Sequence, residues 1–235
     1  MKAIKEELYM SGEYLKRNPS WHIEESVWKA KHVLRMLTLN SVVPTTVCEV
    51  GCGAGEVLKT LQEDLGDHCL FWGYDVSPHA LELASSRANE RLHFKLTDIQ
   101  QEQGVHFDVI LMLDVIEHLE DYFGMLRDIK PKAEYKIFHI PLDLSVQTVL
   151  RRYGLLKVRD WYGHIHYFTK DIALRVLDDA GYEVLDYSYT ARAIEQPTNE
   201  IKRNLLKLPR TLLFMINKDL TARILGGWSL LVLAK

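Results

Sequence analysis

The sequence predicts an α/β protein built on a doubly wound, mostly parallel sheet, and three observations carry that prediction. The stretch 46–58, TVCEVGCGAGEVL, reads as a buried strand that runs through a glycine turn into a helix. Downstream, apolar runs of strand length alternate with apolar stripes at helical spacing. Two late strands then follow, separated by a long excursion.

The totals set the limits. With 235 residues and 47% hydrophobic composition, one domain with a sizeable core and an appendage is expected. A net charge of −3 makes no electrostatic case for nucleic acid as a partner. The opening MKAIKEELYMSGEYLKRN lacks the apolar core of a signal peptide, and no apolar run approaches the roughly 20 residues that span a bilayer. The three cysteines, Cys48, Cys52 and Cys69, read as small buried thiols of a reducing cytosol. Cys48 and Cys52 have no second cluster with which to hold a metal.

Residues 1–44 are expected to form an N-terminal helical arm or lid. Asn18-Pro19 marks a turn, and Ile23, Val27, Ala30, Leu34 and Leu37 form a helical stripe. Trp21 and His22 at its start read as a cluster anchoring the arm, with a lid over substrate as the rival role. The domain proper runs 45–235. Val47, Cys48 and Val50 make the first strand; Ala54, Leu58, Leu61 and Leu65 continue as a helix. Residues 69–74 form a second strand ending at Asp75, and Ser77-Pro78 supplies an N-cap and first helical residue. A third strand, 92–96, leads to Thr97-Asp98-Ile99, and a fourth, 107–113, to Asp114-Val-Ile-Glu117-His118. After a helix closed by Pro131, a fifth strand, 135–140, opens onto an irregular segment reaching about residue 162. GHIHYF then precedes Thr169, the cap of a helix stopped by Gly181, and residues 182–189 make a sixth strand. A basic, leucine-rich helical insert at about 190–226, divided by Pro209, comes before the final strand, 228–234. That insert is expected to cap the substrate mouth or form a homodimer face, with weak membrane-surface contact through 200–225 as the alternative.

Glycines framed G-x-G-x-x-G would mark a dinucleotide site, but here the third position falls on Glu56. The pattern present, Glu49-x-Gly51-x-Gly53-x-Gly55, resembles the first motif of class I S-adenosylmethionine-dependent methyltransferases. DVIEHLED resembles the fourth-motif region of their small-molecule subgroup, including ubiquinone-biosynthesis methyltransferases, and the GHIHYFT block is similar to a feature of that subgroup. The resemblance implies a Rossmann-like, seven-stranded sheet whose last strand is antiparallel and inserts between the fifth and sixth. It implies S-adenosylmethionine as cofactor, leaving as S-adenosylhomocysteine. The glycine turn, with Gly51, Cys52, Gly53 and Gly55, would hold the methionine part, and Glu49 would lie near its ammonium. Asp75 with Val76 would hold the ribose, Asp98 and Ile99 the adenine, and Asp114, Val115 and His118 would complete the donor wall.

An acceptor oxygen must also lose its proton, and histidine is the default base near neutral pH. His118, His139, His164 and His166 lie at strand ends or in site-facing loops. If the segment is extended, His164 and His166 face opposite ways. His166 is the preferred base, with His139 as rival. A metal site from Glu117 and His118 is rejected, because adjacent side chains rarely point at one ion. The expected enzyme is cytoplasmic, and the resemblance implies a methyltransferase whose acceptor is a sugar, lipid-linked or secondary-metabolite hydroxyl, with nitrogen and carbon acceptors left open. Its rivals are a non-catalytic adenosyl-binding scaffold and, further behind, an NAD(P)-dependent oxidoreductase.

Overall fold

The computed structural model describes residues 20–21, 23–196 and 201–235; the residues before Ser20, and His22, expected in the N-terminal arm, lie outside that set. The strands are β1 Thr46–Val50, β2 Leu70–Asp75, β3 Leu92–Leu96, β4 Phe107–Leu113, β5 Ala133–Pro141, β6 Val184–Thr190 and β7 Ser229–Ala234. They form one seven-stranded sheet in the order β3-β2-β1-β4-β5-β7-β6. Neighbours among β1–β5 pair in parallel, and β7 runs antiparallel to both β5 and β6. The expected doubly wound fold is the one observed.

The strands are apolar on both faces because both faces are covered. In β4, Val109, Leu111 and Leu113 join Ala30, Val33, Leu58 and Leu61 in one layer. The intervening Ile110 and Met112 join Leu126, Ile129 and Leu177 in the other. The first layer's helices are α1 Ile23–Leu39 and α2 Glu56–Asp64, with α3 Pro78–Ser85 following β2. The second layer takes α4 Tyr122–Ile129 and, after the short α5 Val146–Leu150 and α6 Gly154–Tyr162, α7 Lys170–Asp179. Caps sit where the sequence placed them: Ser77 accepts from the Ala80 amide and Thr169 from the Ile172 amide.

Three expectations need correction. The segment expected to be irregular as far as residue 162 contains α5 and α6, because the Ser145 side chain caps the first and Gly163, at φ +84°, ends the second. Pro209 does not divide the insert. After α8 Arg192–Glu195, a single helix, α9 Ile201–Ile216, runs through it. Leu205, one turn back, is exposed, so water can serve the carbonyl that proline leaves without a donor. The break falls instead at Asn217, whose side chain caps α10 Lys218–Leu225. Lastly, the insert does not bury its leucines: Leu205, Leu206, Leu208, Leu212 and Leu213 all stay exposed. Its inner side is held by Phe214, stacked on Trp228 at 5.2 Å, and by Arg210 over the same indole.

Candidate active site

β1, β2 and β4 end at one edge of the sheet, which is where open parallel sheets bind ligands. Register places Val50 beside Tyr74 and Met112, so Gly51, Asp75 and Asp114 emerge side by side. A cleft of about 260 Å³ opens there, lined by Glu49, the Gly51–Gly53 turn, Asp114, His118, His139 and His164, and closed above by Trp21, Trp28, Lys29 and Arg192.

The turn requires glycine for two reasons. Gly51 and Gly53 adopt φ +70° and +53°, and a Cβ would lie 2.8 Å from Val115 Cγ2 at the first and 2.5 Å from Trp21 Cδ1 at the second. Asp75 braces the turn by accepting from the Gly53 amide at 2.8 Å and, through its other oxygen, from the Ser77 amide at 2.8 Å. Burial pushes its pKa up while those amides pull it down. With the Val76 amide as a third such donor, the carboxylate keeps a lone pair for a ligand hydroxyl.

Glu49 is buried, and among the described residues its Oε2 has no hydrogen-bond donor. Burial, reinforced by Asp75 and only partly offset by Lys29, pushes its pKa up to about 8. An acidic group so placed calls for a cation. Lys29 does not bond that oxygen; its Nζ pairs instead with Asp114 Oδ2 at 2.6 Å.

Asp114 sits at φ +57°, a left-handed conformation that costs a non-glycine residue energy and recurs at functional sites. Its other oxygen accepts from His139 Nδ1 at 2.5 Å, and His139 Nε2 is hydrogen-bonded to the Thr190 hydroxyl at 2.8 Å. Burial would raise the Asp114 carboxyl, but His139 and Lys29 together hold it well below the usual carboxylate range. The result is a fixed Lys29–Asp114–His139–Thr190 chain under the cleft.

A third group of polar side chains lies on the opposite wall. Residues 116–118 form a 3-10 turn in which Glu117 is fully buried. The Glu117 carbonyl accepts from the Ile165 and His166 amides, which pins the GHIHYF segment against this turn. His164 is thereby brought beside Glu117 and His118, and its Nδ1 donates to Asp143 at 2.6 Å. Two ties hold the insert to α1 across the mouth: Arg192 to Glu25 at 2.5 Å, and Glu195 to both Trp28 and His32 at 2.7 Å.

The structure brings Glu49, Gly51, Cys52, Gly53, Asp114, His118 and His139 to the cleft wall. Val76, 53% exposed, offers an apolar surface beyond Asp75. Ile99 does not, because its side chain is committed to the core beneath; Asp98 caps the short helix that Ile99 begins. Gly55, the N-cap of α2, and Val115, beneath Gly51, support the turn from behind. His164 and His166 do alternate, but the preferred His166 faces away from the cleft, donating from Nε2 to the Leu119 carbonyl and packing on Tyr122. His139, the rival base, is 4% exposed, with its Nε2 hydrogen-bonded to Thr190. Of the two, His139 lines the cleft and His166 does not. The premise that Glu117 and His118 diverge also fails, since the 3-10 turn brings Oε1 of one within 3.8 Å of Nε2 of the other. A Tyr-x-x-x-Lys spacing, the pair an oxidoreductase would need, is present at Tyr153 and Lys157. However, Tyr153 is largely exposed and neither lines the cleft.

Sequence reasoning missed Lys29, Trp28, Arg192 and Glu195. Lys29 and Trp28 sit on the polar side of a helical stripe, and nothing local separates them from solvated residues.

The family model described as a methyltransferase domain matches residues 20–187, which include every one of these cleft residues except Arg192, Glu195, Thr190 and the closing strand. The chain belongs to the methyltransferase-domain family. Among solved structures it is similar to the magnesium protoporphyrin IX methyltransferase of Synechocystis PCC 6803 with bound S-adenosylhomocysteine, at 17% identity and a TM-score of 0.63, over 98% of this chain and 96% of that one. It is also similar to the N-methyltransferase NodS of Bradyrhizobium japonicum WM9, in complex with S-adenosylhomocysteine, at 18% identity and 0.55, over 88% and 84%. A third is the plantazolicin methyltransferase BpumL with a triazolic desmethyl analogue and S-adenosylhomocysteine, at 16% identity and 0.60, over 95% and 88%. At these identities the likeness is one of fold. No curated protein matches the sequence. Among the described residues, no helix is long and apolar enough to cross a membrane.

Proposed function

We propose that this methyltransferase-domain protein binds S-adenosylmethionine and transfers its methyl group to a hydroxyl oxygen of a small molecule: a sugar, lipid-linked compound or secondary metabolite. The observation that carries the reading is Glu49, a buried carboxylate with an oxygen lacking any donor among the described residues, set beside a glycine turn that Asp75 braces. A ligand with an ammonium at Glu49 and paired ribose hydroxyls at Asp75 satisfies both groups at once. When bound, S-adenosylmethionine supplies a methyl group on a sulfonium, open to in-line displacement.

The chain's own residues position and desolvate. Glu49 receives the ammonium, and the bare backbone of Gly51 and Gly53 admits the methionine part without a side chain in the way. Asp75 accepts from the ribose, Val76 covers one face of the nucleoside, and Asp98 stands where the resemblance puts the adenine. Trp21 and Arg192 shield the mouth. The acceptor then enters on the side of His118 and His164, where imidazoles and the Glu117 carboxylate can deal with a hydroxyl proton. That wall is the reason for choosing oxygen, because the fold itself serves acceptors as different as those its relatives are named for.

The scaffold alternative has one observation of its own, the exposed apolar side of α9. A cleft lined with titratable groups favours the enzyme, and the apolar side then serves self-association or a membrane surface. The three free, buried thiols suit a cytoplasmic, reducing setting. The test is calorimetric titration with S-adenosylhomocysteine, followed by transfer of labelled methyl to a panel of hydroxylated acceptors. Micromolar binding that Asp75→Ala abolishes supports the reading; a folded wild type that binds nothing overturns it.

A further inference from the structure

The acceptor wall contains an arrangement that methyl transfer by positioning alone does not use. Glu117 is 0% exposed, and among the described residues neither of its carboxylate oxygens has a hydrogen-bond partner. Two imidazole nitrogens approach it, His118 Nε2 at 3.8 Å and His164 Nε2 at 3.9 Å from Oε1, too far for hydrogen bonds. Both rings have the other nitrogen facing an acceptor: His118 Nδ1 lies 3.2 Å from the Gly163 carbonyl and His164 Nδ1 2.6 Å from Asp143 Oδ2. For His164 the carboxylate places the proton on Nδ1 and leaves a lone pair on Nε2, and the Nε2 atoms of both rings approach Glu117 Oε1. Three potential ligand atoms thus converge in a buried place that also feels the negative Asp114 and Asp143.

We propose that Glu117, His118 and His164 form a divalent-cation site on the acceptor side of the cleft. Their donor atoms all lie within 4.8 Å of one another. A first-row ion held at about 2.0–2.2 Å from each ligand sets donors about 3.0–3.6 Å apart, so closure takes side-chain shifts of about 1 Å or less. Two imidazoles and one carboxylate suit zinc and its neighbours in the first transition row over calcium or magnesium. The Asp143–His164 contact is the outer-shell carboxylate that orients a metal-binding imidazole and makes it more basic. Three protein ligands leave positions open toward the cleft, where His118 and His164 both line the wall. A cation there would bind the acceptor hydroxyl and lower its pKa, so that the proton leaves to water and the oxygen lone pair is free to take the methyl group. The cation's binding stands on geometry alone; its role toward the acceptor rests on the methyl-transfer reading.

The test uses the full chain, stripped with chelator, and three variants: Glu117→Gln, His164→Ala and Asp143→Asn. Zinc binding is measured by calorimetry, and cobalt(II) is titrated while its visible d–d bands are followed. The proposal expects one ion per chain, a loss of at least about 100-fold in affinity for Glu117→Gln and His164→Ala, and about 10–100-fold for Asp143→Asn. It also expects a cobalt spectrum of nitrogen and oxygen ligands. S-adenosylhomocysteine binding should be unchanged in all three, which reports both folding and the donor site. A wild type that binds S-adenosylhomocysteine but no stoichiometric cation overturns the proposal and leaves the methyltransferase reading standing. Binding that survives Glu117→Gln and His164→Ala, or thiolate charge-transfer bands in the cobalt spectrum, overturns it too. Cation binding without S-adenosylhomocysteine binding supports the site and counts against the donor assignment.

Discussion

Glu49 makes the donor site testable through protons. In the ligand-free protein its pKa stands at about 8 rather than the ordinary 4.5, chiefly because the carboxyl is buried. A donor ammonium against Oε2 stabilises the ionised form, so the pKa falls on binding and a proton is released wherever the free protein holds Glu49 neutral. Affinity must therefore rise with pH up to about 8 and level off above it. At pH 6.5, about 1.5 units below the free-state value, ionising Glu49 costs about 2 kcal/mol, a factor of about 30 in affinity. The assay is calorimetric titration with S-adenosylhomocysteine from pH 6.5 to 8.5, in buffers of contrasting ionisation heat. Wild type should gain about 30-fold across that range and release close to one proton per site at the acid end. Glu49→Gln should bind more weakly at pH 8.5 and lose the slope. A flat wild-type profile, or an equal slope in Glu49→Gln, would refute the placement of the ammonium at Glu49.

Four further outcomes follow from the same geometry. Raised carboxyl pKa values favour the folded state at low pH; Glu49's contribution is complete below 4.5 and is lost as pH rises through about 8. Glu49→Gln should accordingly stabilise the ligand-free protein above pH 8, by about 3–5 kcal/mol in denaturant titrations, with no gain at pH 4. Gly53→Ala puts a methyl group 2.5 Å from Trp21 Cδ1 in left-handed backbone; chemical denaturation should show a loss of about 1–3 kcal/mol, with weakened S-adenosylhomocysteine binding. Asp114→Asn leaves Lys29 buried without its counter-charge and should cost about 3–5 kcal/mol at pH 7. Since the Asp114 carboxyl is held low, its stabilisation is present above the ordinary carboxylate range and fades only in strong acid, so the wild-type–Asn gap should narrow there. Glu195→Ala removes the acceptor shared by Trp28 and His32, and hydrogen exchange should accelerate in 191–196 while β1 and β4 amides stay protected.

The layout of the sheet was legible because each signal is local. Continuous apolar runs such as FDVILML are what a strand covered on both faces needs, and GCGAG marks the one place where bare backbone must turn into a helix. Glu49, Asp75 and Asp114 were legible for the same reason: each stands at a strand end or one step from it, so strand periodicity alone brings them to one edge. The choice between His164 and His166 was not. Alternation showed that the two face opposite ways, but which one faces the cleft depends on the Glu117 carbonyl capturing the Ile165 and His166 amides, a contact across some 48 residues of chain.

What the sequence determined by itself is therefore the α/β architecture, the glycine turn and the acids at the strand ends, since these follow from periods of two and 3.6 and from the conformational freedom of glycine. Only tertiary structure decided that Lys29 of the first helix neutralises Asp114, that His139 is locked by Thr190, and that Glu117, His118 and His164 converge. Such groupings are made by residues far apart in the chain. Their energetics depend on burial and on the loss of water between charges, neither of which exists until the sheet and its helical layers have closed.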